Sequence, residues 1–248
     1  MAEPSPARSS PVTLWQRCAA LGVHLLTASG VLLGAGMIAG IANSNYRLAF
    51  LLMVVAVTID AVDGTLARRF QVKRVWPQID GRTLDDIVDY LNYTFVPLVL
   101  LCHAGWLPRP LWGWIAVPLM CSLFGFAHRG AKEEDAGFFR GFPSYWNVVV
   151  LYIALGVHRA GPWWVLAILL GLSLLTLLPV RFIYASRPPR WLPLFAGGGV
   201  IWAVLLLIMI WNYPRVSAPL LIASLIYPVL YVLLSVCFDV RDRLDRAS

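Results

Sequence analysis

Apolar residues run through this chain in long blocks, parted by short clusters rich in Arg, Pro and Gly. Blocks of this length match the roughly 20 residues that a helix needs to cross about 30 Å of hydrocarbon. The pattern predicts eight helices, at roughly 21–42, 46–68, 81–105, 110–128, 144–158, 162–184, 191–211 and 216–238. The fifth is short and is expected inside the bundle or continuous with the turn at Gly141–Ser144. No alternating ten-residue pattern supports a barrel, and lipid permits only closed hydrogen-bonding schemes. The fold class expected is therefore an all-α, polytopic integral membrane bundle. Gly30/Gly34 and Gly36/Gly40 are spaced for close helix contact in the first block.

Composition agrees with the pattern. Of 248 residues, 59% are hydrophobic and 13% charged, against roughly 25% charged in soluble domains. Residues 21–238 read as one membrane domain between a short N-terminal tail (1–20) and a C-terminal tail (239–248), because no hydrophilic stretch is long enough to fold separately. The first block is long and follows a Pro/Ser-rich tail, unlike the brief apolar core of a cleaved signal. Pairs Asp239/Arg243 and Asp242/Arg246 would support a last helix that continues into water.

Charge sets the orientation. With eight spans both termini share a side, and of the 20 Lys and Arg only Arg47, Arg109, Arg159 and Arg215 fall on the other. That bias places both termini in the cytoplasm. The net charge of +7 then reflects topology and anionic headgroups, and no motif supports nucleic-acid binding.

Asp60, Asp63, Asp80, Asp85, Asp86 and Asp89 hold six of the thirteen acids in one thirty-residue window. Carboxylates cost roughly 2.5–3.5 kcal/mol each at the centre of a membrane helix, so a cluster demands compensation. Residues three or four apart share a helix face, which pairs Asp60 with Asp63 and Asp85 with Asp89. Asp60 would lie about 21 Å along the second helix and Asp89 about 12 Å along the third, at similar depths on antiparallel neighbours. Four hard oxygen donors suit Mg²⁺ or Mn²⁺ better than zinc, and two such ions could hold a diphosphate. Asp86 is rotated about 100° from Asp85 and stands apart. Gly64 and Ala67 would keep one face low, and Arg68 offers a planar fork to phosphate. A proton relay or a carrier is the other use of intramembrane acids, but no inverted repeat relates the halves.

Asp60-x2-Asp63-Gly64-x2-Ala67-Arg68 followed by Gly81-x3-Asp85-x3-Asp89 resembles the signature of the CDP-alcohol phosphatidyltransferase family in every specified residue. The spacer of twelve residues between Arg68 and Gly81 is longer than the eight or nine usual there. The longer spacer, His24–Gly30 in the first helix and Gly141–Asn147 before the fifth are similar to the bacterial branch that makes phosphatidylcholine. This resemblance implies transfer of a phosphatidyl group from CDP-diacylglycerol to choline, with release of CMP, at the inner face of the bacterial cytoplasmic membrane. It implies that Asp60, Asp63, Asp85 and Asp89 hold two divalent ions and that Asp89 also serves as general base. It further implies that Gly64, Ala67, Arg68 and Gly81 border the CDP-diacylglycerol, and that the chain forms homodimers. Aromatic faces bind quaternary ammonium, and Tyr90, Tyr93, Tyr145 and Trp146 are candidates to hold choline. Serine, glycerol phosphate or inositol phosphate remain as alternative acceptors, and a choline or cation carrier as the non-enzymatic alternative.

Overall fold

The computed structural model describes residues 12–128, 130, 132–133, 138–183 and 193–247. The basic residues Arg8, Arg129, Arg187 and Arg190, which enter the orientation argument, lie outside the described residues.

Helices dominate. The first block folds as α1 (Leu14–Ala28) and α2 (Gly30–Ala42), the second as α3 (Tyr46–Arg69), followed by a single turn, α4 (Val72–Val75). The third divides into α5 (Gly81–Asp89), a π-helical turn (Tyr90–Phe95) and α6 (Val96–His103). A 3₁₀ stretch (Arg109–Ile115) then leads into α7 (Ala116–Ala127). After these come α8 (Trp146–Leu155), α9 (Pro162–Leu177), α10 (Pro193–Trp211) and α11 (Ala218–Ala247). Among the described residues four helical runs are long and apolar enough to cross a membrane: Leu14–Ala42, Tyr46–Arg69, Arg109–Ala127 and Ala218–Arg241. Outward-facing Val200, Ile201, Trp211 and Ile222 are each more than 60% exposed, the surface of a protein solvated by lipid. The chain is an all-α integral membrane protein by these measures.

Local chemistry explains where the helices differ from the sequence expectation. The first begins seven residues early because Thr13 and Gln16 form a reciprocal capping box, which satisfies its first amides. Its start carries Leu14 and Trp15, both strongly exposed, suited to an interface. The sixth, expected to run to 184, ends at Leu177: Leu178 is extended ahead of Pro179, as the proline ring demands. The freed chain enters a small antiparallel sheet, β1 (Lys132–Glu133), β2 (Phe138–Arg140) and β3 (Arg181–Ile183), in the order β1-β2-β3. Sequence periodicity gave no sign of these short strands. Phe138 opposes Ile183 and Arg140 opposes Arg181, while the Arg181 guanidinium lies 4.5 Å from the Phe138 ring centre. The last helix runs on to Ala247, the continuation that the i,i+4 charge pairs imply.

Two glycines set the packing around the site. Gly30 lies so close to Val88 that a Cβ would collide with its Cγ1, and a Cβ on Gly34 would sit 2.9 Å from Asn92 Oδ1. The small pair expected from the sequence thus lets α2 press against α5 and the π-turn. Behind them α8 is apolar on every face and buried from Trp146 to Leu155, forming the axis of the main core with Met37, Phe50, Leu101 and Val165. The described cysteines are free.

Gly141 has φ +80, and a Cβ there would run into the Thr176 carbonyl. Gly141→Ala therefore combines a left-handed backbone with a backbone clash, and should destabilise the protein by about 2 kcal/mol or more, seen as a lowered melting temperature in detergent.

A candidate carboxylate and nucleotide-sized site

α3 and α5 run past one another and bring their acids together. Asp60, Asp85 and Asp89 each place one carboxylate oxygen so that all three lie within 4.8 Å of one another. The i,i+4 spacing of Asp85 and Asp89 puts both on the α5 face that meets α3. Asp63, one turn beyond Asp60, stands outside that set of three. It is buried, and its Oδ2 accepts a 2.6 Å hydrogen bond from the Thr27 hydroxyl of α1.

The π-turn directly follows Asp89. Its i→i+5 bonds wind more slowly than the roughly 100° per residue of an α-helix, so residues beyond Asp89 swing back toward the acidic stripe. Tyr93, four residues past Asp89, lies on the side of the acids. It lines a narrow notch with Thr27, Asp60, Asp63, Asp85 and Asp89.

The notch opens into a much larger cavity of about 1070 Å³. Gly64, Ala67, Arg68 and Gly81, the four residues expected beside a nucleotide, all line it, together with Asp60, Asp63 and Asp85. Gly64 leaves space beside Arg68, whose Nη2 donates to the Thr65 hydroxyl at 3.1 Å. Gly81 backs onto the His24 ring, where a Cβ would approach Cε1 to 3.4 Å. Lys73, Arg74 and Arg82 also border the cavity, so basic and acidic side chains share its lining. An elongated diphosphate ester would suit that mixed lining, since arginine forks match phosphate oxygens.

The other two acids have separate work. Asp80 caps α5, accepting from the Arg82 amide and the Thr83 hydroxyl, each at 3.0 Å. Those bonds, Thr83 first, hold its carboxyl below the usual range. Asp86 faces Arg82 at 3.8 Å along the helix, consistent with its rotation away from Asp85.

Of the four aromatic candidates, Tyr93 is the one that lines the acidic notch. Tyr90 donates to the Leu119 carbonyl at 3.1 Å and meets Phe126 edge-on, fastening the π-turn to α7. Trp146 is fully buried, with its indole N–H on Ser122 Oγ at 2.7 Å. Tyr145 is half-buried beside Phe142. The sequence reading gave no role to Thr27 or to the buried Asn92, whose Nδ2 donates to the Gly30 carbonyl at 3.0 Å. The polar pair His24 and Thr27, three apart in an apolar helix, was the available signal.

The donor set fits a divalent metal. Three converging carboxylates, with oxygen as the only ligand type, suit Mg²⁺ or Mn²⁺ and offer nothing to a thiophilic ion. Asp85→Asn should therefore abolish high-affinity Mn²⁺ binding by the purified protein, measured by titration without any organic substrate.

The sequence is similar to known proteins over most of its length. A family model described as CDP-alcohol phosphatidyltransferase matches residues 23–135, the stretch that holds all four aspartates. Relatives named phosphatidylcholine synthase match most of the chain. The one from Borreliella burgdorferi is 38% identical over 168 residues, 66% of this chain and 70% of that protein. The one from Pseudomonas aeruginosa is 36% identical over 190 residues, 75% and 77% of the two chains. The Legionella bozemanae relative is 36% identical over 211 residues, 82% and 96% of the two.

Proposed function

The chain belongs to the CDP-alcohol phosphatidyltransferase family, and from that premise we propose that it transfers the phosphatidyl group of CDP-diacylglycerol to choline, giving phosphatidylcholine and CMP. The observation that carries the reading is the meeting of Asp60, Asp85 and Asp89 in the notch, beside a cavity that Arg68, Lys73, Arg74 and Arg82 border. The named relatives support the choice of acceptor.

In this reading Asp60, Asp63, Asp85 and Asp89 hold two divalent ions, Mn²⁺ or Mg²⁺. Bound there, such ions supply positive charge to the diphosphate and lower the cost of deprotonating an alcohol. Arg68 grips a phosphate oxygen with its fork, and Gly64, Ala67 and Gly81 leave room for the nucleotide against α3 and α5. Asp89 takes the proton from the choline hydroxyl as its oxygen attacks the phosphorus bearing diacylglycerol. The bond from that phosphorus to the CMP oxygen breaks, and CMP leaves through the wide cavity. Tyr93 presents an aromatic ring beside Asp89 and is the residue we assign to the choline ammonium, with the carboxylates completing its counter-charge.

The topology belongs to the same proposal. Residues 21–238 form one membrane domain of eight spans, with both termini in the cytoplasm and the cavity open to that side of the bacterial inner membrane. The concentration of Lys and Arg near the cavity and at the tails supports it. A homodimer is the assembly this family membership suggests.

Purified protein given CDP-diacylglycerol, labelled choline and Mn²⁺ should form phosphatidylcholine and equimolar CMP, and a chelator should stop both. Parallel reactions with serine, glycerol phosphate or inositol phosphate test the acceptor; turnover with one of these but not with choline would reassign it. Uptake of choline into proteoliposomes without CDP-diacylglycerol would favour a carrier. Asp89→Asn should keep metal-dependent CDP-diacylglycerol binding and lose at least about a hundredfold in CMP release, and wild-type release would remove Asp89 from the base role.

A further inference from the structure

The Thr27–Asp63 bond joins two helices at the one aspartate of the signature that lies outside the converging three. Its 2.6 Å length is that of a hydroxyl donating to a charged acceptor. A hydroxyl has one proton to give, and the competing Val23 carbonyl is 3.4 Å away, so the carboxylate takes it. Both partners are buried, Thr27 at 8% and Asp63 at 6% exposure. The donor is itself fixed in place. One turn further on, Gly30 presses against Val88, the neighbour of Asp89, and at the other end of α1 the Arg17 carbonyl accepts from the Trp76 indole at 3.1 Å.

We propose that Thr27 is a positioning residue for the carboxylate nest: by holding Asp63 Oδ2 toward α1, it turns the remaining oxygen of Asp63 toward the notch that Asp60, Asp85 and Asp89 share. Asp63 borders both the notch and the large cavity, so that orientation serves an ion placed between them. α1 contributes no acid to the site, yet it selects which face of an α3 acid the site receives. This inference rests on the divalent-cation reading of the proposed function.

The test uses Mn²⁺ alone, titrated into the purified full chain in detergent, with free Mn²⁺ followed by its paramagnetic resonance signal. Thr27→Val keeps the shape and removes the hydroxyl, and should weaken Mn²⁺ binding by about tenfold. Thr27→Ser restores the donor and should bind close to wild type. In an Asp63→Asn background, Thr27→Val should cost nothing further, since its effect runs through that carboxylate. Should Thr27→Val melt before assay, Thr27→Ala takes its place with the same expectation. Unchanged Mn²⁺ affinity in Thr27→Val or Thr27→Ala, or an equal loss with and without Asp63, overturns the positioning role alone. Wild-type protein that binds no Mn²⁺, or binds it equally well as Asp85→Asn, overturns the cation reading and this inference with it.

Discussion

A carboxylate held within a helix bundle must find a donor, a cation or water, and the first third of this chain is arranged around that demand. Asp63 finds the Thr27 hydroxyl, and Tyr93 lies with Asp60 in the notch. Asp60, Asp85 and Asp89 each bring a carboxylate oxygen within 4.8 Å of the others, a spacing that favours a shared positive charge. Each compensating group comes from a different segment: α1, the π-turn, and the partner helix. The packing of those segments is therefore inseparable from the chemistry. Gly30 and Gly34 matter for this reason, because a bulkier residue at either would push α2 off α5 and loosen the bonds that settle the acids.

Much of this was legible in the sequence because hydrophobic blocks and motif spacing are strong, local signals. The spacing of Asp60, Asp63, Asp85 and Asp89 implied two acidic faces on neighbouring helices, and α3 and α5 do bring three of the four to a common point. The small-residue pair Gly30/Gly34 implied a close approach, and Val88 and Asn92 are what it approaches. The shortness of the fifth block suggested a place inside the bundle or continuity with the Gly141–Ser144 turn, and most of α8 is buried.

Other features depend on information that periodicity does not carry. A π-turn differs from an α-helix by one residue in the hydrogen-bonding step, and Tyr90–Phe95 reads as ordinary helix by composition. Tyr93 itself follows Asp89 by four residues, a spacing that keeps it on the acidic face. Strands of two or three residues, such as β1 to β3, leave no pattern long enough to detect. The aromatic candidates show the same limit. Tyr90 and Trp146 lie near the right depth in sequence, yet their partners (Leu119 and Ser122) are distant along the chain. Tertiary packing alone separates an aromatic that holds helices together from one that faces the acids.

The large cavity and the narrow notch share Thr27, Asp60, Asp63 and Asp85, while Arg68, Lys73, Arg74 and Arg82 border the cavity alone. A lipid whose charged head is processed in such a recess has no need to drag that head through hydrocarbon. Its acyl tails can stay among their neighbours while the polar portion dips into the protein and returns. Lipid made in such a recess would stay in the leaflet that supplied its precursor, and its appearance in the opposite leaflet would require separate machinery or slow spontaneous flipping.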